Sequence, residues 1–267
     1  MDPFGNQAED ALAEAVRRLG RPGFEAALMQ LFHRLAAPDN LLVLAYRDAG
    51  PPQVLYVQSG DSPVFDALPT TYLAGAYLLD PFHDLHLSRA PAGMYRLLDV
   101  APDAFQRSRY YLEYYQETTL IDELTYVAYP APGVSLNLCL GRDRTSGQTF
   151  APREVEAVAR LAPVVLALAE RHWAGLTATD AAPEDVAGGL VAALAPRGIS
   201  LSPRQAEVAL LILRGHSSTS IALRLGVSVQ TVKVFRRQLY GKCGISSQAE
   251  LFALLLPLLK PGAQGRA

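Results

Sequence analysis

Ser228-Val-Gln-Thr-Val-Lys-Val-Phe-Arg-Arg-Gln-Leu-Tyr240 is the stretch whose reading decides the fold of the carboxyl-terminal part of the chain. At about 100° per residue, Val229, Val232, Phe235 and Leu239 fall on one stripe of a helix, while Gln230, Lys233, Val234 and Arg237 fall on the other side. Ser228 is placed to cap a helix over 229–240, and Gly226 makes the tight turn before it. Working backwards, a helix over 219–225 points Ile221, Ala222 and Leu225 inward. Before that, Leu201-Ser-Pro-Arg-Gln-Ala-Glu-Val208 opens a helix reaching about Arg214, with Ser202 as its cap and Pro203 in its first turn. Val208, Leu211 and Ile212 share a face of that helix, and Gly215 supplies the positive φ that ends it. The pattern is that of short helices around a small core.

Charge separates this segment from the rest. The chain of 267 residues carries a net charge of -2, but residues 197–267 hold ten Lys or Arg against two acids, a balance of +8, and the remainder carries -10. A basic segment attracts duplex DNA by releasing counterions, whereas an acidic partner domain has some other task. Lys233 and Arg237, four apart, project together from a helix of the size that fits a major groove, where either can donate to guanine O6 and N7. Val234 lies between them for a thymine methyl, and Gln230 shares the face. Thr231, Arg236 and Lys242 flank it and suit backbone phosphates. For an isolated basic pair the alternative is a solvated helix surface.

The stretches Leu201 to Val208, Arg214-Gly-His-Ser-Ser-Thr-Ser-Ile-Ala-Leu-Arg-Leu-Gly-Val-Ser-Val-Gln-Thr-Val-Lys-Val234 and Tyr240-Gly-Lys-Cys-Gly-Ile-Ser-Ser-Gln-Ala-Glu-Leu251 together resemble the LuxR-type helix-turn-helix over residues 201–251. Gly215, Ile221, Ala222, Leu225, Gly226, Ser228, Thr231, Val232, Lys233, Lys242 and Ser247 stand at the family's spacings. The resemblance implies a recognition helix at 229–240, base contacts from Lys233, Val234 and Arg237, and a fourth helix at 247–258 used for pairing. Phe235 replaces a histidine usual in the family, Gln205 a glutamate, and Thr219 with Ser220 a lysine and a glutamate. On the helical wheel Phe235 faces the core, and the other changes remove surface ion pairs. The fourth helix carries so many leucines that a domain this small is expected to leave some of them for a second copy. Such a homodimer reads two half-sites related by its twofold axis.

The first two thirds of the chain read as a second domain. Helical spacing marks 1–20 and 24–35, the latter with Phe24, Leu28, Leu31, Phe32 and Leu35 together. Residues 41–46 and 53–58 form a hairpin across Asp48-Ala-Gly-Pro-Pro52, and 94–100, 124–129 and 134–140 are further strands. Helices are expected over 64–79 and 104–117, and a long one started by Thr149 and reaching Trp173. This is an α+β sensor-like module with helices around a five-stranded, largely antiparallel sheet. The expected organisation is a sensing and dimerisation domain over 1–175, a linker over 176–198 rich in Ala, Pro, Gly and Asp, a helix-turn-helix domain over 199–260 and a disordered tail over 261–267.

The most distinctive feature of the sensor is aromatic: Tyr72, Tyr77, Phe82, Tyr95, Tyr110, Tyr111, Tyr114 and Tyr115. Clustered tyrosines near Asp80, Asp122 and Glu123 can enclose a small ligand and recognise a polar or cationic group. The alternative is an ordinary core with tyrosine hydroxyls reaching the surface. Tyr72, Asp80-Pro81, Pro91 and Tyr95 resemble the landmarks of the acyl-homoserine-lactone-binding domain, although Tyr95 stands where that family has tryptophan. Asp80-Pro-Phe82, Asp99-Val-Ala-Pro-Asp103, Tyr114-Tyr115 and Thr118-Thr-Leu-Ile-Asp-Glu123 more closely resemble the GAF- or PAS-like sensor domains of solitary LuxR-type regulators. That resemblance implies a small-molecule effector, and the aromatic cluster with its neighbouring acids gives Tyr72, Tyr77, Asp80, Phe82, Tyr95, Tyr115, Asp122 and Glu123 as the residues expected to hold it. A protein partner docking on a tyrosine-rich surface is the other reading, as is a lactone receptor.

Several classes are set aside. Cys139 and Cys243 are the only cysteines, which points away from a disulfide framework and towards a reducing, cytoplasmic setting. No apolar run approaches the ~20 residues of a membrane span, and the N-terminus has the reverse of a secretory signal's charge order. His83-Asp-Leu-His86 offers two imidazoles, but no further ligands cluster with them, and histidines beside an aspartate are expected on a helix surface. There is no Gly-x-Ser-x-Gly elbow or glycine-rich phosphate loop, so neither an enzyme nor a cofactor is expected.

Overall fold

The computed structural model describes residues 6–178 and 185–259. The tail expected over 261–267 and the middle of the expected linker lie outside the described residues. The helices are α1 (Asn6–Arg17), α2 (Phe24–Ala36), α3 (Pro81–Leu87), the single turn α4 (Leu97–Val100), α5 (Arg109–Glu113), α6 (Pro152–His172), α7 (Val186–Leu194), α8 (Pro203–Arg214), α9 (Ser218–Leu225), α10 (Val229–Cys243) and α11 (Gln248–Leu255). Two compact units form, and they do not follow chain order. One takes Met1–Phe65, Leu85–Val100 and Thr119–Ala182; the other takes Asp66–Asp84, Ala101–Thr118 and Pro183–Ala267.

The first unit is built on five strands, β1 (Asn40–Arg47), β2 (Gln53–Gln58), β3 (Gly93–Arg96), β4 (Leu120–Ala131) and β5 (Val134–Asp143). They lie in the order β2-β1-β5-β4-β3 with every neighbouring pair antiparallel. Alternation decides which face packs. Leu41, Val43 and Ala45, Leu124, Tyr126 and Ala128, and Leu136, Leu138 and Leu140 join one core with Phe24, Leu28, Leu31, Phe32 and Leu35 of α2 and Val158, Leu161 and Val165 of α6. Trp173 ends α6 inside that core, edge-on to Phe24 and His172. The other face of the sheet is also buried but holds polar side chains. There the Thr125 Oγ1 and Cys139 Sγ atoms lie 3.3 Å apart, and Ser135 Oγ meets His86 Nδ1 at 2.7 Å.

In the second unit, α8 to α11 follow the expected pattern, each opened by a serine. Ser202, Ser217, Ser228 and Ser247 accept from the amides of Gln205, Ser220, Thr231 and Glu250. Gly215, Gly226 and Gly244 close the first three with φ of 96°, 64° and 66°. Helix α7, inside the expected linker, is capped by Asp185 and buries Val186, Leu190 and Leu194 as it packs on α8.

The segments 66–84 and 101–118 depart from expectation. The helices expected over 64–79 and 104–117 are broken into short 3-10 and π turns around α5. Pro69 opens one such turn, Gly75 at φ 137° interrupts the next, and Ser108 caps α5 afresh. The strand expected over 94–100 likewise ends at Arg96 and turns into α4.

Candidate functional site

The expected reading helix, α10, presents its chemistry outward. Gln230, Lys233 and Arg237 are exposed, with Val234 half-buried between the two cations. The inner stripe is buried only at Val232 and Leu239; Val229 and Phe235 are half-buried, so Phe235 is less of a core residue than its place on the wheel suggests. Thr231 is tied to the cap, its hydroxyl 2.8 Å from Ser228 Oγ and its amide donating to the same oxygen at 3.0 Å. Arg236 lies over the Tyr240 ring and donates to its hydroxyl. Lys242 is exposed, and its Nζ donates to Gln205 Oε1 at 2.9 Å.

Gln205 corrects one expectation. It is a buried residue of α8, not a lost surface ion pair. Its Oε1 also accepts from the Ser202 amide, completing a capping box, and its Nε2 donates to Gln238 of α10 at 3.0 Å. A neutral amide here positions Lys242 without cancelling its charge. Sequence reasoning missed this role, although the Ser-x-x-Gln spacing carries the signal.

The structure divides the expected effector residues between the units. Tyr72, Tyr77, Asp80, Phe82 and Tyr115 belong to the second. Tyr72 stacks on Tyr114 with centroids 6.1 Å apart, Tyr114 lies against Tyr110, and Phe105 gathers Tyr110, Tyr111 and Tyr115 around it. Apart from Tyr111, these rings are buried, so the cluster is not a tyrosine-rich surface. Tyr72 Oη donates to Asp80 Oδ2 at 2.5 Å, and the Phe82 amide donates to Oδ1 at 2.8 Å. Burial nevertheless pushes the Asp80 carboxyl up to about 6, the two hydrogen bonds opposing the shift and nearby Asp84 adding to it.

Tyr95, Asp122 and Glu123 belong to the first unit. Tyr95 Oη donates to the Pro91 carbonyl. Asp122 is a buried structural tie: Arg96 binds both its oxygens at 3.1 and 2.6 Å, and the Glu123 and Phe150 amides donate to it. Glu123 lies on β4 opposite Gly141. His83 and His86, expected on a helix surface, are both buried; His83 lies edge-on to Tyr77, and His86 is held between Ser135 and the Arg47 carbonyl. The two stand three apart on α3 and so share its packed face, whereas Leu87 is exposed. Among the described residues no group of His, Cys, Asp or Glu is arranged to hold a metal, and no helix is long and apolar enough to cross a membrane.

Comparison with known proteins agrees with the capped helices. Residues 199–255 match the model of GerE, the bacterial regulatory proteins of the luxR family. A protein of Aeromonas salmonicida described as an HTH-type transcriptional regulator in the exeN 3' region is 32% identical over 185 residues, 66% of this chain and 93% of that one. The chain belongs to the LuxR family of transcriptional regulators. The crystal structure of the VqsR LBD domain from Pseudomonas aeruginosa superposes with a TM-score of 0.54 and 27% identity, covering 63% of this chain and 96% of that one. Escherichia coli SdiA is similar over 94% of this chain and 90% of its own, at 17% identity and a TM-score of 0.37.

Within this LuxR-family chain, residues of the second unit that sequence reasoning did not single out surround the helix-turn-helix. Asp84 pairs with Arg214 at 2.8 Å and with Arg224 at 3.3 Å. Asp103 Oδ1 accepts from the Ser217 amide at 2.9 Å. Burial acts to raise the Asp103 carboxyl, but hydrogen bonds from Ser217 and the proximity of His216 outweigh it and leave the group below its ordinary value. Helix α5 packs against α8 and α11, and Leu251, Phe252 and Leu255 of α11 are buried. Part of the leucine surface expected to be left over for a partner is therefore covered within the chain, with residues 101–118 contributing to the cover, while Leu254 and Leu256 are half-buried.

Proposed function

We propose that this LuxR-family regulator is a one-component, ligand-responsive switch that binds duplex DNA as a dimer, with α10 in the major groove. The observation that carries the DNA reading is the outward pair Lys233 and Arg237 on a helix capped at both ends, in a segment whose charge is opposite to that of the rest. Lys233, Val234 and Arg237 read base edges, Gln230 adds a side-chain amide to the same face, and Thr231, Arg236 and Lys242 hold phosphates. In the sensor, Asp80 with Tyr72 is the polar anchor of a small effector, a role supported by its displaced carboxyl and by likeness to a domain named as an LBD. Only an effector with different affinities for two states of the chain can switch it.

The test begins by selecting a duplex from random sequence with the wild-type protein. Lys233→Ala with Arg237→Ala is expected to weaken binding to that duplex by roughly 2–6 kcal/mol, taking ~1–3 per base contact, and to weaken mixed-sequence DNA much less. Equal affinity of the double variant for the selected duplex removes the assignment of the reading face. For the effector, a metabolite screen by thermal melting should find a compound that raises Tm in the wild type and not in Asp80→Ala.

A further inference from the structure

The helix-turn-helix carries carboxylates where DNA would bring phosphates. In such motifs the first helix crosses the nucleic-acid backbone, with its N-terminal amides and flanking cations meeting phosphate oxygens. Here that helix is α9. The amide of Ser217, at its start, donates to Asp103 at 2.9 Å. Arg224, in its last turn and 49% exposed, reaches Asp84, whose other oxygen is held by Arg214, 14% exposed. Bonds to backbone carbonyls tie the segments that bear these carboxylates to the helix-turn-helix: Ala104 N donates to the Gly215 carbonyl at 3.0 Å, and the Arg214 side-chain Nε donates to the Leu78 carbonyl at 3.0 Å. All of these residues belong to one compact unit.

We propose that Asp84 and Asp103 form an intramolecular clasp that occupies the phosphate-binding positions of α9 in the resting chain and is displaced when DNA binds. The clasp rests on the reading of α9 and α10 as the DNA interface. A donor held by a carboxylate is not open to a phosphate, so DNA has to open the clasp to gain those contacts. The segment that bears Asp84 also bears Tyr72, Leu78 and Asp80. An effector engaging the Tyr72–Asp80 pair therefore acts on the piece of chain whose Leu78 carbonyl and Asp84 carboxylate hold Arg214, which gives the sensor a physical route to the reading head.

The experiment measures full-length protein binding a labelled mixed-sequence duplex of about 30 base pairs by anisotropy, from roughly 50 to 200 mM salt. Asp84→Asn with Asp103→Asn should bind about tenfold more tightly than wild type at low salt. Its log K against log salt should steepen by about one phosphate contact, that of Arg224, or ~0.9. Asp61→Asn with Asp66→Asn makes the same charge change at two exposed carboxylates and is the control. A clasp variant that binds no more tightly than this control overturns the clasp while leaving the DNA reading intact. Absence of salt-dependent binding by every protein removes the DNA reading and the clasp with it. A second measurement needs no variant: saturating wild-type protein with duplex should speed hydrogen exchange at the Ala104 amide, and unchanged or slower exchange there overturns the proposal.

Discussion

Helices α8 to α11 and the segments 66–84 and 101–118 share one compact unit, yet different forces shape them. Each of the four helices is written locally, with a serine at its start, and glycine in the left-handed region closes α8, α9 and α10. The two segments carry short turns held by ring-on-ring packing among Tyr72, Phe105, Tyr110, Tyr114 and Tyr115. Only the second kind of order depends on residues far away in sequence. The helix-turn-helix head therefore carries its own helix boundaries, whereas the cover on it, residues 66–84 and 101–118, is set by contacts distant in sequence.

The sharpest way to break this comparison uses two glycines of the same motif. Gly215 and Gly226 both end helices at positive φ, but a Cβ on Gly226 meets open space, whereas a Cβ on Gly215 comes within 2.8 Å of the Phe105 Cα. Gly226→Ala bears only the cost of the backbone conformation, about 1 kcal/mol. Gly215→Ala bears that cost and an overlap with backbone that cannot swing aside, together about 3–4 kcal/mol. Urea unfolding of full-length protein measures both. Equal losses in the two variants mean that 101–118 does not press on the helix-turn-helix.

Protonation separates cover and head next. Asp80, in the cover, is raised to about 6, so its contribution to stability is full below the unfolded value near 3.8 and is lost as pH rises through 6. His216, in the head, is lowered to about 4 by burial first and by Arg224 and Arg214, with Asp84 and Asp103 opposing. Its contribution is full above 6.5 and is lost as pH falls towards 4. The two act in opposite directions over overlapping windows, between about 4 and 6. Asp80→Asn should gain on wild type as pH rises from 4 to 7, and His216→Gln should gain as pH falls over that range. Stability curves for either variant that run parallel to wild type would remove the corresponding assignment.

What the sequence disclosed follows the same division. Ser202, Gly215, Gly226 and Ser228 are legible because a cap acts within four residues of itself, and the strands are legible because burial on one face imposes alternation. The helices expected over 64–79 and 104–117 had the right apolar spacing but the wrong length. Pro69, Gly75 and Ser108 are breakers whose force depends on whether aromatic packing rewards a break. Phe105, around which three tyrosines gather, carried no pattern of its own. Asp84 and Asp103 read as two acids in an acidic domain, since nothing local tells an acid which distant arginine or amide it will meet. Gln205, by contrast, was open to reading from its Ser-x-x-Gln box.

The smallest expected effect tests whether the head's local order and its charge are separable. Ser228→Ala removes the oxygen that accepts the Thr231 amide at 3.0 Å and should cost about 1 kcal/mol of stability. Ser228→Asp restores an acceptor, and a carboxylate at a helix N-terminus is favourable, so stability should return to the wild-type level. DNA affinity should not return with it: the new carboxylate stands beside Thr231, which is assigned to a phosphate, and should flatten the salt dependence by about one contact. If Ser228→Asp recovers affinity along with stability, the proposed approach of DNA to this end of α10 is wrong, and the local order of the head says nothing about its charge.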